Sequence, residues 1–272
     1  MNAKLMTPLK SRLLAPMLCA ALVTGLAQTG RAAVNLVTDG TFTNDYNAAQ
    51  SALLGSAPLG GYDSLVNWTT ASGAYNLLFL KGTADVTGAY SPPFNNWVAL
   101  YGPGNGFANG LPATDPAGGN FVALDSTYDP GTLSQTINGL ISGDTYALTF
   151  YWAGAQQYGK VGATGDELAV SLGGVTQNTV SNSVPEGGFT GWQSVTFNYT
   201  ATNSSELLSF LASGAPSGAA PPFALVGGIT LSLTTSNPPP SVPDTTSTAA
   251  LFGFSVIVVG TAARRFRPLR RN

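Results

Sequence analysis

Few residues in this chain can do chemistry, and their types narrow the choice at once. There is no histidine in 272 residues. That removes a Ser-His-Asp or Cys-His nucleophile pair, a histidine general base and the ordinary zinc sites. Carboxylates remain. Glu167, Glu186 and Glu206 are the only glutamates, and nine aspartates are dispersed between residues 34 and 241. A glycosidase needs two carboxyl groups facing one sugar, at a separation set by its mechanism. Glu206 begins one strand-like run and Glu167 sits at the edge of another, so both read as solvated acids, and no catalytic residue is assigned. Calcium needs clustered oxygen ligands. Asp39 with the backbone of "TDGTF", or Asp125 and Asp129 around "LDSTYDP", would offer them, although turn formation is the simpler use of these acids. No metal ligand or cofactor is assigned, and calcium is the one ion left open.

Binding is the stronger option. Trp68, Trp97, Trp152 and Trp192, with Tyr62, Tyr75, Tyr101, Tyr128 and Tyr158, carry flat faces of the kind that stack on sugar rings, with Asn and Asp to grip hydroxyls. Only loop aromatics would be free to do so. Trp152 shares a strand face with Phe150 and Leu148 and reads as core. Trp192 alternates opposite Val195 and Phe197 and so points outward, at a strand start. Trp97 and Tyr101, beside "GPGNGFANG" (102–110), and Tyr158 in "AGAQQYGK" are the candidate sugar-binding residues. For each taken singly, a core or loop-anchor role is the commoner one. The glycine cluster lacks the following helix and the Lys-Ser/Thr ending of a phosphate loop and reads as a flexible loop.

The elements that must position these residues are strands. "DTYALTFYW" alternates cleanly, with Tyr146, Leu148, Phe150 and Trp152 on one face, and "GWQSVTFNYT" does the same with Val195, Phe197 and Tyr199. "NWVALY", "NFVALD", "TLSQTI", "ELAVSLG", "ELLSFLA" and "GITLSLT" are further strand-like runs, separated by Gly, Pro, Asn and Asp. Only "NDYNAAQSALL" (44–54) offers a short helix. Many short strands without alternating helices predict an all-β, antiparallel, jelly-roll-like sandwich.

Charge is distributed unevenly. Between residues 34 and 241 there are twelve acids against Lys81 and Lys160, a net of −10, and no arginine. Such a field repels nucleic acid and anionic lipid. Residues 1–33 have Lys4, Lys10 and Arg12, then "LLAPMLCAALVTGLA", then small residues at Ala32 and Ala33, the three parts of a secretory signal helix cleaved near Ala33, with Ala32 as the nearby option. Cys19 falls within the discarded part, and bulky Leu18 before it argues against lipid attachment; the mature chain then has no cysteine. "NWT", "NYT" and "NSS" match the glycosylation acceptor pattern. Beyond a β domain at 34–234 comes a Pro/Ser-rich spacer, 235–241. Residues 242–272 follow, with eighteen mostly apolar residues from Thr246 to Ala263 and five arginines after them. As a helix the run is about 27 Å long, a short transmembrane span. The arginines orient it with the β domain outside.

Val242-Pro243-Asp244, an apolar helix and Arg264, Arg265 and Arg267, in that order, resemble the tripartite sorting signal of the PEP-CTERM class in its VPDSG variant. Thr245-Thr246 departs from the usual Ser-Gly. The resemblance implies recognition of Val242, Pro243 and Asp244 by an exosortase-like membrane transpeptidase, with Ala249–Ala263 as membrane stop and the arginines as orientation cluster. "VNLVTDGTFTN" and "PPFALVGGITLSL" are similar to the opening and closing phrases of exported galactose-binding-like domains of this class, with Gly227 where many have Asp and Thr43 where they often have Glu. An ion held by those two acids would lack both carboxylates here. The expectation is a non-enzymatic, exported β-sandwich of the cell envelope or extracellular matrix, passing through the inner membrane, with extracellular polysaccharide as its binding partner. The alternative is a carboxylate-dependent carbohydrate-active enzyme.

Overall fold

The computed structural model describes residues 34–44, 53–54, 65–87, 98–216 and 221–237. The expected leader with Ala33, Trp97, the expected sorting motif Val242, Pro243 and Asp244, the apolar run and Arg264, Arg265 and Arg267 lie outside the described residues. Among the described residues no helix is long and apolar enough to cross a membrane.

Among the described residues twelve strands form: β1 Leu53–Leu54, β2 Thr69–Thr70, β3 Asn76–Phe79, β4 Phe121–Asp125, β5 Leu133–Asn138, β6 Thr145–Gln156, β7 Thr164–Leu172, β8 Val175–Asn178, β9 Asn182–Val184, β10 Gln193–Thr200, β11 Ser205–Pro216 and β12 Pro222–Thr235. They make two antiparallel sheets, β1-β3-β4-β12-β6-β10 and β2-β5-β11-β7-β8, with β9 also on β7. From β4 to β7, and again from β9 to β12, successive strands alternate between the sheets. The expected all-β antiparallel sandwich is therefore what forms.

The alternating runs are strands because period-2 placement puts every second apolar side chain into the gap between the sheets. On β6, Tyr146, Leu148, Phe150 and Trp152 are buried, facing Leu168, Val170, Leu208 and Phe210 of the other sheet in one core. Phe150 and Phe210 meet edge to face at 5.3 Å. Each such aromatic or leucine contributes about 1.5–3 kcal/mol by burial. The β7–β8 hairpin turns on Gly173 and Gly174, both at positive φ (59° and 86°). That pair of left-handed residues makes the two-residue turn whose twist matches the strands.

A second core lies on the outer face of the six-stranded sheet. Leu77, Phe79, Phe121, Ala123, Ala153, Ala155, Phe223 and Leu225 point away from the first core, yet all are buried. The connection between β3 and β4 covers them with Ala84, Val98, Leu100 and Leu111, and Phe189 and Trp192 pack at the side. Here three expectations change. "NWVALY" supplies no strand in its described part; Leu100 makes a single antiparallel bridge to Gln157. The Gly-rich 102–110 loop is tied down rather than free, by bonds given below. Leu53–Leu54 at the end of the expected 44–54 helix pair with β3 as strand; of the rest of that segment, all but Asn44 lies outside the described residues.

Candidate functional site

At one end of the sandwich, the loops after Leu100, β6 and β9 bring three rings together. Tyr101 meets Phe107 at 4.4 Å and Tyr158 at 5.3 Å, and Phe107 meets Tyr158 at 6.1 Å, all edge to face. Tyr101 is only 5% exposed, whereas Phe107 and Tyr158 are 40% and 38% exposed. The Tyr101 hydroxyl donates to the Lys160 carbonyl at 2.7 Å. Tyr101 is thus the buried anchor of the corner, and Phe107 and Tyr158 present its accessible faces, 78° apart. Of the expected sugar-binding residues, Tyr101 and Tyr158 come together; Trp97 lies outside the described residues. Phe107 was missed, although it sits inside the glycine-rich run between Tyr101 and the loop's end, where an aromatic with no strand to belong to is itself a signal.

Amide side chains hold this corner. Asn105 donates through Nδ2 to the carbonyls of Asp85 (3.1 Å) and Leu100 (2.7 Å), and its Oδ1 accepts from Gly102 N–H. Asn109 Nδ2 donates to Tyr101 and Gly187 carbonyls. Gly102 and Gly104 pack on the Asp85 carboxylate so closely that a Cβ at either would lie within 3 Å of it. Fully buried Gln156 donates from Nε2 to Gly162 and Val184 carbonyls, and its Oε1 accepts from Gly187 N–H. One side chain therefore fixes both loops flanking Tyr158 and Phe107.

The acids serve the backbone. Asp39 accepts from Thr43 N–H, Thr43 Oγ1 and Asn44 N–H. Asp125 accepts from the amides of Thr127, Tyr128 and Asp129. Both are turn formers, the simpler of the two uses expected of them, and among the described residues no group of three or more acids or thiols could hold a metal ion. At Gly227 a Cβ would lie 2.6 Å from Asp115 Oδ2, so the Asp115 carboxylate fills the space an aspartate there would need. Glu206 is not the solvated acid expected: it is 6% exposed, and its Oε1 accepts from Thr202 N–H, Thr202 Oγ1 and Asn203 N–H. Desolvation pushes its carboxyl up, but those bonds together outweigh it and hold the pKa below the ordinary value.

Asp166 on β7 is the exception. It is fully buried, takes a hydrogen bond from Ser126 Oγ at 2.6 Å on one oxygen, and among the described residues has no partner on the other. Burial raises its pKa to about 7, with the Ser126 bond opposing and the Asp125 charge adding. Sequence parity would have found it: extending the Leu168, Val170, Leu172 alternation back by one step reaches Asp166 on the same inward face.

A shallow groove of about 390 Å³ lies along β5, lined by Thr69, Ser134, Thr136 and Asn138 among others, and Gln135 closes its floor by bonding Thr38 and Asn67. It has no aromatic wall.

No protein-family model matches the chain, and no curated protein sequence matches it. Solved structures similar to it include TmCBM61 in complex with β-1,4-galactotriose, at 17% identity over 44% of this chain and 72% of that one, with a TM-score of 0.28. Another is the CBM22-1 xylan-binding domain of Paenibacillus barcinonensis Xyn10C, at 10% identity over 59% and 94%, with a TM-score of 0.29. Likenesses of this size carry no argument about this chain, whose fold rests on its own strand pairing.

Proposed function

We propose that this is an exported, non-enzymatic β-sandwich protein of the cell envelope or extracellular matrix, delivered by its leader and trimmed at Val242-Pro243-Asp244 by an exosortase-like transpeptidase. The observation that carries the reading is the order of parts: a leader-type segment, a β domain with its own cores, a Pro/Ser spacer, then motif, apolar run and arginines. Each part alone is common; the ordering gives them one use, since the arginines hold the apolar run oriented in the inner membrane until the motif is cut. Intact-mass analysis of the exported protein, with and without the transpeptidase, tests this. A mature species retaining residues 245–272 in both strains overturns it. Exchanging Arg264, Arg265 and Arg267 for glutamate is expected to abolish trimming, read as loss of the shorter mass.

The ligand class proposed is extracellular polysaccharide, held at Phe107 and Tyr158. Exposed rings on loops, braced by a buried third ring, support it. The acids support binding over catalysis, because Asp39, Asp125 and Glu206 are spent on turns and Asp166 is sealed from solvent. On a glycan array, residues 34–241 carrying Tyr158→Ala are expected to bind about tenfold more weakly, the size of one lost aromatic contact. No glycan bound by the unmutated domain would end the carbohydrate reading and leave the sorting reading standing.

A further inference from the structure

Sheet edges expose unpaired N–H and C=O groups, and proteins blunt them with short strands, charges, prolines or bulges. Three ends of the two sheets follow that rule by length: β1 and β2 have two residues each, and β8 and β9 have four and three. The fourth end does not. Among the described residues β10 is the last strand of the six-stranded sheet, eight residues long, in unbroken register with β6 from Gln193 to Thr200. "QSVTFNYT" contains no charged residue and no proline.

Its open side can be assigned. Gln177 Nε2 donates to the Asn198 carbonyl at 2.9 Å from outside the sheet, so the backbone of Asn198 faces the open side. By the two-residue alternation of an antiparallel strand, Ser194, Thr196 and Thr200 face the same way, while Val195, Phe197 and Tyr199 bond to β6. Val195 and Phe197, whose side chains pack on the core between the sheets, remain only partly buried at this edge.

We propose that two copies of this chain associate in solution by antiparallel pairing of β10 with itself, joining their six-stranded sheets into one. The self-complementarity argues for a second copy as the occupant. Centred on Phe197, the register sets Ser194 against the partner's Thr200 and Thr196 against the partner's Asn198. Every outward group then meets an outward group, in about eight hydrogen bonds. With no charge on the strand, no like charges meet across the joint. The hydroxyl contacts already crossing β10 and β6, Thr149 to Thr196 at 2.8 Å and Thr145 to Thr200 at 3.2 Å, lie in rows that continue across the joint. Phe197 and its copy cover each other's exposed sides. The Gln177 amide is the cap that pairing must displace.

Residues 34–241 contain every described strand and both cores, so that domain is the sample. Light scattering across a concentration series should move from monomer to dimer mass. Hydrogen exchange should slow with concentration at Ser194, Thr196, Asn198 and Thr200, and be slow at all concentrations at Val195, Phe197 and Tyr199. Thr196→Pro removes an N–H that the monomer does not use and should give a monomer with an unchanged near-UV spectrum. Thr196→Lys should do the same if the proline variant misfolds. Gln177→Ala should tighten association several-fold. A monomer up to ~1 mM, or a dimer indifferent to both Thr196 variants, overturns the proposal.

Discussion

Asp166→Asn is expected to make the domain more stable than the parent at pH 8 and to remove most of the parent's loss of stability between about pH 4 and pH 7. The carboxyl titrates near its ordinary 3.8 when the chain is unfolded and at about 7 when folded. Between those values the folded state binds the extra proton, so stability falls as pH rises and the loss is complete above about 7. The gap corresponds to at most about 4 kcal/mol. Asparagine keeps an acceptor for Ser126 Oγ and carries no charge to desolvate. Asp115, also raised by burial, contributes a slope of the same sign, so the informative quantity is the difference between variant and parent. Glu206 acts in the opposite sense, because its lowered pKa confers stability that is lost only as pH falls below the ordinary carboxylate range. Urea midpoints measured from pH 4 to pH 8 check the prediction. Parallel curves for parent and variant would refute it.

Phe121→Ala should cost about 3–5 kcal/mol, as much as truncating a ring in a conventional core. Phe121 is fully buried on the outer face of the six-stranded sheet, 5.8 Å from the Phe79 ring and 5.4 Å from that of Trp192. Its removal opens a cavity that neither β4 nor the rigid sheet can close. The covering connection before β4 would lose much of what holds it, and limited proteolysis should cut between residues 98 and 120 in the variant while sparing the parent. A shift under about 1 kcal/mol, the range of ordinary surface changes, with unchanged cleavage would mean that the second core is dispensable.

Both predictions concern features that strand alternation only partly exposes. Where one face of a strand is wet, as on β6 from Thr145 to Trp152 and on β10, period-2 reading placed the core residues correctly, Trp152 among them. It failed on Asn76–Phe79, where every residue is buried. It also gave no sign that the outer faces of β4 and β12 are covered, since a strand buried on both sides reads as a plain apolar run. Trp192 points away from the first core as its parity requires, yet it packs half-buried at the side of the second, against Phe121 and Phe189.

By itself the amino-acid sequence determined the fold class, the strands with a wet face and the absence of any histidine side chain. Those depend on residue type and on spacing along the chain. Tertiary structure alone decided that Tyr101 is an anchor and Phe107 a surface, that Glu206 is spent on a turn, and that Gly227 abuts Asp115. It also decided that, among the described residues, β10 stands at a long open edge. The reason is physical: burial, free lone pairs and strand neighbours belong to pairs of groups far apart in sequence. Gln156 reaching Gly187, or Ser126 reaching Asp166, leaves no periodic trace in the sequence on either side.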